Sequence, residues 1–253
     1  MTAEDKAKRI FAERAAFYTT STVHADPAGL ARLVALAAPR PDWTALDIAT
    51  GTGHTALALA PHVNTVIGID LTQEMLSEAE RLRAERAAGN VVFRVGDAHR
   101  LPFGDASFDL VTCRRAAHHF SDIGLAMNEI VRVLRPGGRL IVDDRSVPED
   151  DFADRCLNQL DWYHDESHVR EYRPSEWRHM LATRGLSLES LEVIVRHRPL
   201  SAFTDGVSPE NVAAIHRLLD GLTPDQRASL ALADVKGQPH LNHWYVLIAA
   251  HKS

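Results

Sequence analysis

One stretch limits what this 253-residue chain can fold into more than any other: Ala45 to Ala60, ALDIATGTGHTALALA. Its first half, Ala45-Leu46-Asp47-Ile48-Ala49, is short and apolar, as a strand buried on both faces must be. Its second half opens on Gly51-Thr52-Gly53 and continues in helix formers. A buried strand that turns through glycines into a helix belongs to open α/β sheets, which collect ligands at the carboxyl ends of their strands. Glycines let the backbone approach a ligand where a Cβ would clash. The helix start adds unpaired N–H groups and a partial positive charge.

The rest of the chain keeps that rhythm. Residues 3–16 read as a charged amphipathic helix with Ile10, Phe11 and Ala15 on one face, followed by an aromatic, hydroxyl-rich link over 17–22. Asp26-Pro27 starts a second helix, through about Ala38. Strands are expected at 44–49, 65–70, 90–95, 108–113 and 139–143, and helices at 52–60, 73–88 and 123–134. Pro148 to Ser175 breaks the pattern with Trp162, Tyr163, His164, His168, Arg170 and Tyr172, and is expected to be a lid. A helix at 176–183, a strand at 191–196, helices at 209–219 and 224–233 and a last strand at 243–250 complete the chain. The fold class is therefore α/β: a Rossmann-like doubly wound sheet, mostly parallel, with helices on both faces and an antiparallel last strand.

Charge and cysteine content narrow the function. The formal net charge of -6 supplies no field for nucleic acid. Cys113 and Cys156 are too few for a disulfide framework and read as reduced thiols of a cytoplasmic protein. No apolar run is long enough to span a bilayer, and the first residues carry no signal-peptide core.

The glycine turn alone leaves two ligands open. GTGHTA with Asp70 downstream fits a dinucleotide fingerprint, and it equally fits an S-adenosylmethionine site in which Asp70 holds the ribose. Two further stretches favour the second: VGDAHRLPF after the third strand, where Asp97 and the Ala98 N–H could read an adenine edge, and CRRAAHHF after the fourth. LDIATGTG, GIDLTQEML, GDAHRLPF, SFDLVTCRRAAHHFSD and EIVRVLRPGGRLIVDD, in that order, resemble the class I S-adenosylmethionine-dependent methyltransferases, and most of all their small-molecule branch of quinone-biosynthesis enzymes.

The resemblance implies a seven-stranded sheet and a single domain over 1–253. Its parts would be a helical cap at 1–42, a cofactor core at 43–147, a lid or substrate insertion at 148–190 and a sheet edge at 191–253. It implies S-adenosyl-L-methionine as cofactor, with Asp47, Ala49, Gly51 and Gly53 at its methionine end. Asp70 would hold the ribose, Leu71 would pack on the adenine, Asp97 and Ala98 would read its edge, Arg114 would close over the amino-acid part, and Tyr18 would cap the site. Ala49 departs from the glycine that many members carry there, which implies a tighter turn.

Methyl transfer is an in-line displacement that needs alignment and, for an O–H or acidic C–H acceptor, a base. His118 and His119 follow the fourth strand at the ligand edge, with His118 the expected substrate-facing ring and His119 a hydrogen-bonded structural one; the alternative is that both only fix their loop. His168 and Arg170 could bind an acidic substrate group or belong to a charged lid face, and Trp162, Tyr163 and Trp177 could form a substrate wall for an apolar or aromatic small-molecule acceptor or pack a helix. His240 and His243 could meet His118 and His119, but without metal-ligand spacing, so no metal is expected. The competing functions are an NAD-type oxidoreductase and a non-catalytic S-adenosylmethionine binder; the chain leaves a homodimer open.

Overall fold

The computed structural model describes residues 3–20 and 25–253. Helix α1 (Ala3–Thr20) absorbs the start of the link expected over 17–22, while Ser21 and Thr22 lie outside the described residues. Helix α2 (Pro27–Ala37) starts where expected, with the Asp26 carboxylate accepting from the Ala28 N–H and proline in its first turn.

The sheet then builds outward from β1 (Thr44–Ile48). The chain passes through α3 (His54–Leu59) to β2 (Thr65–Asp70), and through α4 (Gln73–Glu85) to β3 (Val91–Val95). It returns to the other side of β1 as β4 (Phe108–Arg114), α5 (Ile123–Val133) and β5 (Leu134–Ser146). Beyond these lie α6 (Asp151–His164), α7 (Pro174–Ala182) and β6 (Leu186–Pro199). The short helices α8 (Ser201–Thr204), α9 (Pro209–Asp220) and α10 (Pro224–Ser229) precede β7 (Ala233–Val235) and β8 (Gln238–Lys252).

The strand order is β3-β2-β1-β4-β5-β8-β6, with β7 a short flap on β8. β1 to β5 pair in parallel, and β8 runs antiparallel to both β5 and β6. The order reverses between β1 and β4, which opens a crevice at their carboxyl ends.

Alternation along the central strands divides the core. Leu46 and Ile48 of β1, Val142 of β5 and Ile248 of β8 face one helical layer, while Ala45, Ile141 and Ala249 face the other. A third cluster lies at the start of β8, where Ala153, Leu157 and Leu160 of α6 meet Phe203, Ile215 and Leu241. This corrects the open lid expected at 148–175. Residues Ala153, Leu157 and Leu160 recur at helical spacing, so one stripe of a largely polar segment is buried and half of the segment is α6.

Candidate active site

The turn after β1 makes the floor of the crevice. Ala49, Gly51 and Gly53 all have positive φ, at 51°, 53° and 83°. A Cβ on Gly51 would meet nothing within 4 Å, whereas one on Gly53 would lie 2.6 Å from Phe93 Cζ. Gly51 thus leaves space at the cavity wall, while Gly53 lets α3 settle against β3 and does not itself line the cavity. Ala49 holds the left-handed conformation despite its Cβ, a strain worth about 1 kcal/mol that the surrounding sheet must hold in place.

Three carboxylates stand along this wall. Asp47 is fully buried and accepts from Thr50 Oγ1 at 2.6 Å and Thr112 Oγ1 at 2.7 Å. Burial outweighs those bonds and pushes its pKa up to about 6. Asp70 accepts from the Gly51 and Thr72 N–H groups, both at 2.9 Å, and burial raises its pKa as well. Each of its oxygens keeps a lone pair for a ligand. Asp97 Oδ1 accepts from the His99 N–H at 2.8 Å and from His99 Nδ1 at 2.7 Å; burial opposes ionisation, but these bonds prevail and its pKa falls.

With Leu71, Met75, Ala98 and Phe120 supplying apolar wall, these groups surround about 1040 Å³ of empty space, including its open mouth. That is at the upper end of small-ligand sites. Arg114 lies at the far end, its Nε 3.2 Å from Asp143 Oδ2. Phe11 and Tyr18 of α1 close the near side, their rings 5.8 Å apart, and burial pushes the Tyr18 phenol up to about 12. Of the expected cofactor residues, Tyr18, Asp47, Ala49, Gly51, Asp70, Leu71, Asp97, Ala98 and Arg114 come together here, and Gly53 alone stands behind the wall. An apolar slot flanked by carboxylates with spare acceptors fits an adenine and a ribose diol.

Behind Phe11, Tyr18 and His119, which line both spaces, lies a second cavity of about 610 Å³. It is polar, and four imidazoles line it: His118, His119, His164 and His168. Each spends one ring nitrogen on a protein acceptor. His118 Nδ1 lies 2.6 Å from Asp144 Oδ1, and His164 Nδ1 lies 3.1 Å from the Phe203 carbonyl. His168 Nε2 lies 3.0 Å from Asn158 Oδ1, and His119 Nδ1 lies 3.1 Å from the Ser167 carbonyl. Carbonyl and carboxylate oxygens can only accept, so these nitrogens carry the protons. The opposite nitrogen of each ring is left an acceptor.

Burial lowers the pKa of His118 well below its ordinary value, lowers that of His164, and brings His168 down to about 2. Asp144 also accepts from the His118 and Arg145 N–H groups, which fixes both the carboxylate and the ring it orients. Arg145 sits between buried Asp161 and Glu171, bonded to both. Burial raises the pKa of both acids, against the pull of the Arg145 charge.

Other expected substrate residues stand elsewhere. Arg170 is engaged by Asp154 and Glu176, each at 3.1 Å, and lines neither cavity. Trp162 is 41% exposed on the outer face of α6, and Tyr163 packs on the third core cluster. Trp177 is core. The aromatic wall is therefore not built, because the helical pitch of α6 turns those rings away from the stripe that carries Asp161 and His164. His243 stacks on Phe203 at 4.5 Å instead of meeting His118. Among the described residues no three His, Cys, Asp or Glu side chains are grouped to hold a metal ion. Among the cavity walls that sequence reasoning missed are Phe11, Arg115, Arg145, Asp161, His164 and Asp165. The readable signals were positions: Arg115 follows the end of the fourth strand, beside Arg114, and Arg145 follows Asp143-Asp144.

The methyltransferase-domain family profile matches residues 46–142. An uncharacterized methyltransferase of Bacillus subtilis, YcgJ, is 41% identical over 182 residues, 72% of each chain. A demethylmenaquinone methyltransferase of Beutenbergia cavernae is 42% identical over 109 residues, 43% of each chain. The crystal structure of YcgJ superposes with a TM-score of 0.83 at 35% identity, covering 88% of this chain and 97% of that one. A solved protein of Bacillus halodurans gives 0.84 at 32%, covering 88% and 98%. Match, fold and cavity agree, and the oxidoreductase reading falls with them: the chain belongs to the class I S-adenosylmethionine-dependent methyltransferases.

Proposed function

We propose that this methyltransferase acts on a small acceptor rich in hydrogen-bond donors, seated in the histidine-lined cavity, with His118 as general base. The observation that carries the reading is the His118–Asp144 pair at 2.6 Å, in a polar cavity that shares a wall with the cofactor cavity. When bound, S-adenosylmethionine supplies an electrophilic methyl on a charged sulfur whose departure needs no proton. Asp70 and Asp97 hold the nucleoside, Leu71 packs on it, and Tyr18 with Phe11 excludes water.

Asp144 keeps the His118 Nδ1 proton in place, so Nε2 is the basic nitrogen. Burial keeps that nitrogen unprotonated at neutral pH. An acceptor hydroxyl donating to Nε2 gains nucleophilic character as its proton moves to the ring, and Asp144 steadies the imidazolium that results. The other three imidazoles offer acceptors that orient neighbouring donors of the same molecule. The demethylmenaquinone methyltransferase of Beutenbergia cavernae is matched over only 43% of its length, so its acceptor does not transfer to this chain. A polar acceptor replaces the apolar or aromatic one that the sequence suggested.

No helix among the described residues is long and apolar enough to cross a membrane. The two buried free thiols support a reducing, cytoplasmic setting. The open edges β3 and β6, with Val92, Val95, Val193 and Val195 exposed, are where a homodimer would form.

The test is release of S-adenosylhomocysteine across a panel of polyhydroxylated and apolar acceptors, with wild type and H118Q. Turnover on hydroxylated members, lost in H118Q while cofactor binding persists, is the expected result. Turnover unaffected by H118Q removes the base. Cofactor binding with no turnover on any acceptor returns the non-catalytic binder.

A further inference from the structure

A third cleft, of about 800 Å³, opens beside the first two at the same edge of the sheet, and five arginines line it: Arg32, Arg114, Arg115, Arg196 and Arg198. Only Asp26 and Asp143 face them from the lining, in a protein whose formal net charge is -6. Arg32 is paired with Glu192, and Arg114 with Asp143. The remaining three guanidinium groups surround one ring. Arg115 lies over Tyr245 at 4.3 Å, Arg196 lies over it at 5.6 Å, and Arg198 Nη1 donates to the Tyr245 hydroxyl at 3.2 Å.

Their hydrogen-bonding capacity is largely unspent. Arg115 Nε is buried 3.3 Å from Asp143 Oδ1 but out of hydrogen-bond alignment. Arg196 has no salt-bridge partner among the described residues, and neither has Arg198. Three like charges gathered on one tyrosine repel each other. Asp143 beside Arg115 offsets part of that charge, and the arrangement is suited to a ligand that supplies further charge and acceptors. Arg115 also lines the cofactor and histidine cavities, so the three spaces meet at its side chain.

We propose that the Arg115–Arg196–Arg198 cluster on Tyr245 is an anion subsite for a carboxylate or phosphate, and that it holds the acidic group of the methyl acceptor. The second half of this statement rests on the function proposed above; the first does not. The subsite fixes the acid of a molecule whose donor-rich part lies among the histidines, with Arg115 between them.

The probe is inorganic phosphate, titrated by calorimetry into the full-length wild type, R196Q, R198Q and the surface control R178Q. Wild type and R178Q are expected to bind it alike, and R196Q and R198Q at least about tenfold more weakly, since each removes charge-assisted hydrogen bonds. S-adenosylhomocysteine should bind all four equally, which reports that the variants are folded. Arg196 is exposed, so its variant remains informative even if R198Q loses structure through Tyr245. Equal phosphate affinity in wild type and R196Q, or none in wild type at millimolar concentration, overturns the subsite. With an active acceptor in hand, phosphate inhibition competitive with that acceptor assigns the site to its acidic group. Phosphate binding that does not compete overturns that assignment and makes the ligand a free anion.

Discussion

The cofactor cavity and the histidine cavity share a wall and are built on opposite plans. The first is shaped by backbone: three left-handed residues after β1, N–H groups of Gly51 and Thr72 held by Asp70, and carboxylates at consecutive strand ends. The second is shaped by side chains from the turn after β4, the end of β5, helix α6 and the loop that follows it. Its polar groups are tied to each other, His118 to Asp144, Arg145 to Asp161 and Glu171, His119 to Ser167. A backbone-built site can stay constant while side chains change. A side-chain site is free to be rebuilt for each acceptor. The methyltransferase-domain profile ends at residue 142, so it includes His118 and His119 but stops before Asp144 and all of α6.

The largest effect that would sharpen this division belongs to His118. H118Q is expected to lower turnover by about 10²–10⁴-fold, the usual range for a lost general base, with S-adenosylmethionine affinity changed less than about twofold. Because burial depresses the His118 pKa, the ring is already neutral at pH 6.5. Wild-type kcat/KM should therefore stay level from neutral pH down past the ordinary histidine range, and fall only in more acidic solution. A titration centred on the ordinary value would mean that the base is solvent-exposed and the cavity is not closed.

The complementary effect is at Asp70. D70A removes the acceptor of two backbone N–H groups and the proposed ribose ligand together, and should weaken S-adenosylhomocysteine binding by about 100-fold in calorimetry. If H118Q were to weaken cofactor binding as much as D70A, the two cavities would be one site.

The same division explains what could be read in the chain. The core strands and the residues from Asp47 to Arg114 that line the first cavity were legible because each lies within a few residues of a strand end. Strand ends announce themselves through apolar runs and glycine. The histidine cavity was legible only at His118, His119 and His168. His164 and Asp161 sit on a helix that the density of polar residues in 148–175 disguised as a loop. Arg170 misled for a related reason. A charged residue near a site is free for substrate only if the fold gives it no partner, and Asp154 and Glu176 lie far enough away in sequence, 16 and 6 positions, that pairing could not be assumed. Trp162 and Tyr163 depend on the rotation of α6, which composition does not reveal.

Asp47 tests the cofactor plan from the stability side. Its folded pKa of about 6 lies above its ordinary 3.8, so the folded protein binds the proton more tightly than the unfolded chain does. Stability from this group therefore falls as the pH rises from about 4 to 6, and the full cost, up to about 3 kcal/mol, persists at higher pH. D47N should raise the Tm of the cofactor-free protein at pH 8 and change it little at pH 4, while cofactor affinity drops. A loss of stability at pH 8 would mean that the hydroxyls of Thr50 and Thr112 compensate the charge fully.

The smallest expected effect bears on the boundary of the histidine cavity. Trp162 was a reasonable substrate wall, yet it is exposed on α6, its ring 5.6 Å from Tyr163 and outside the cavity lining. W162A should change stability by no more than about 0.5 kcal/mol, as surface substitutions do, and leave KM for an active acceptor unchanged. An increased KM with an unaltered Tm would place acceptor contacts on the outer face of α6. The cavity would then extend around that helix, and the acceptor would be larger than the space bounded by His164 and Asp161 can hold.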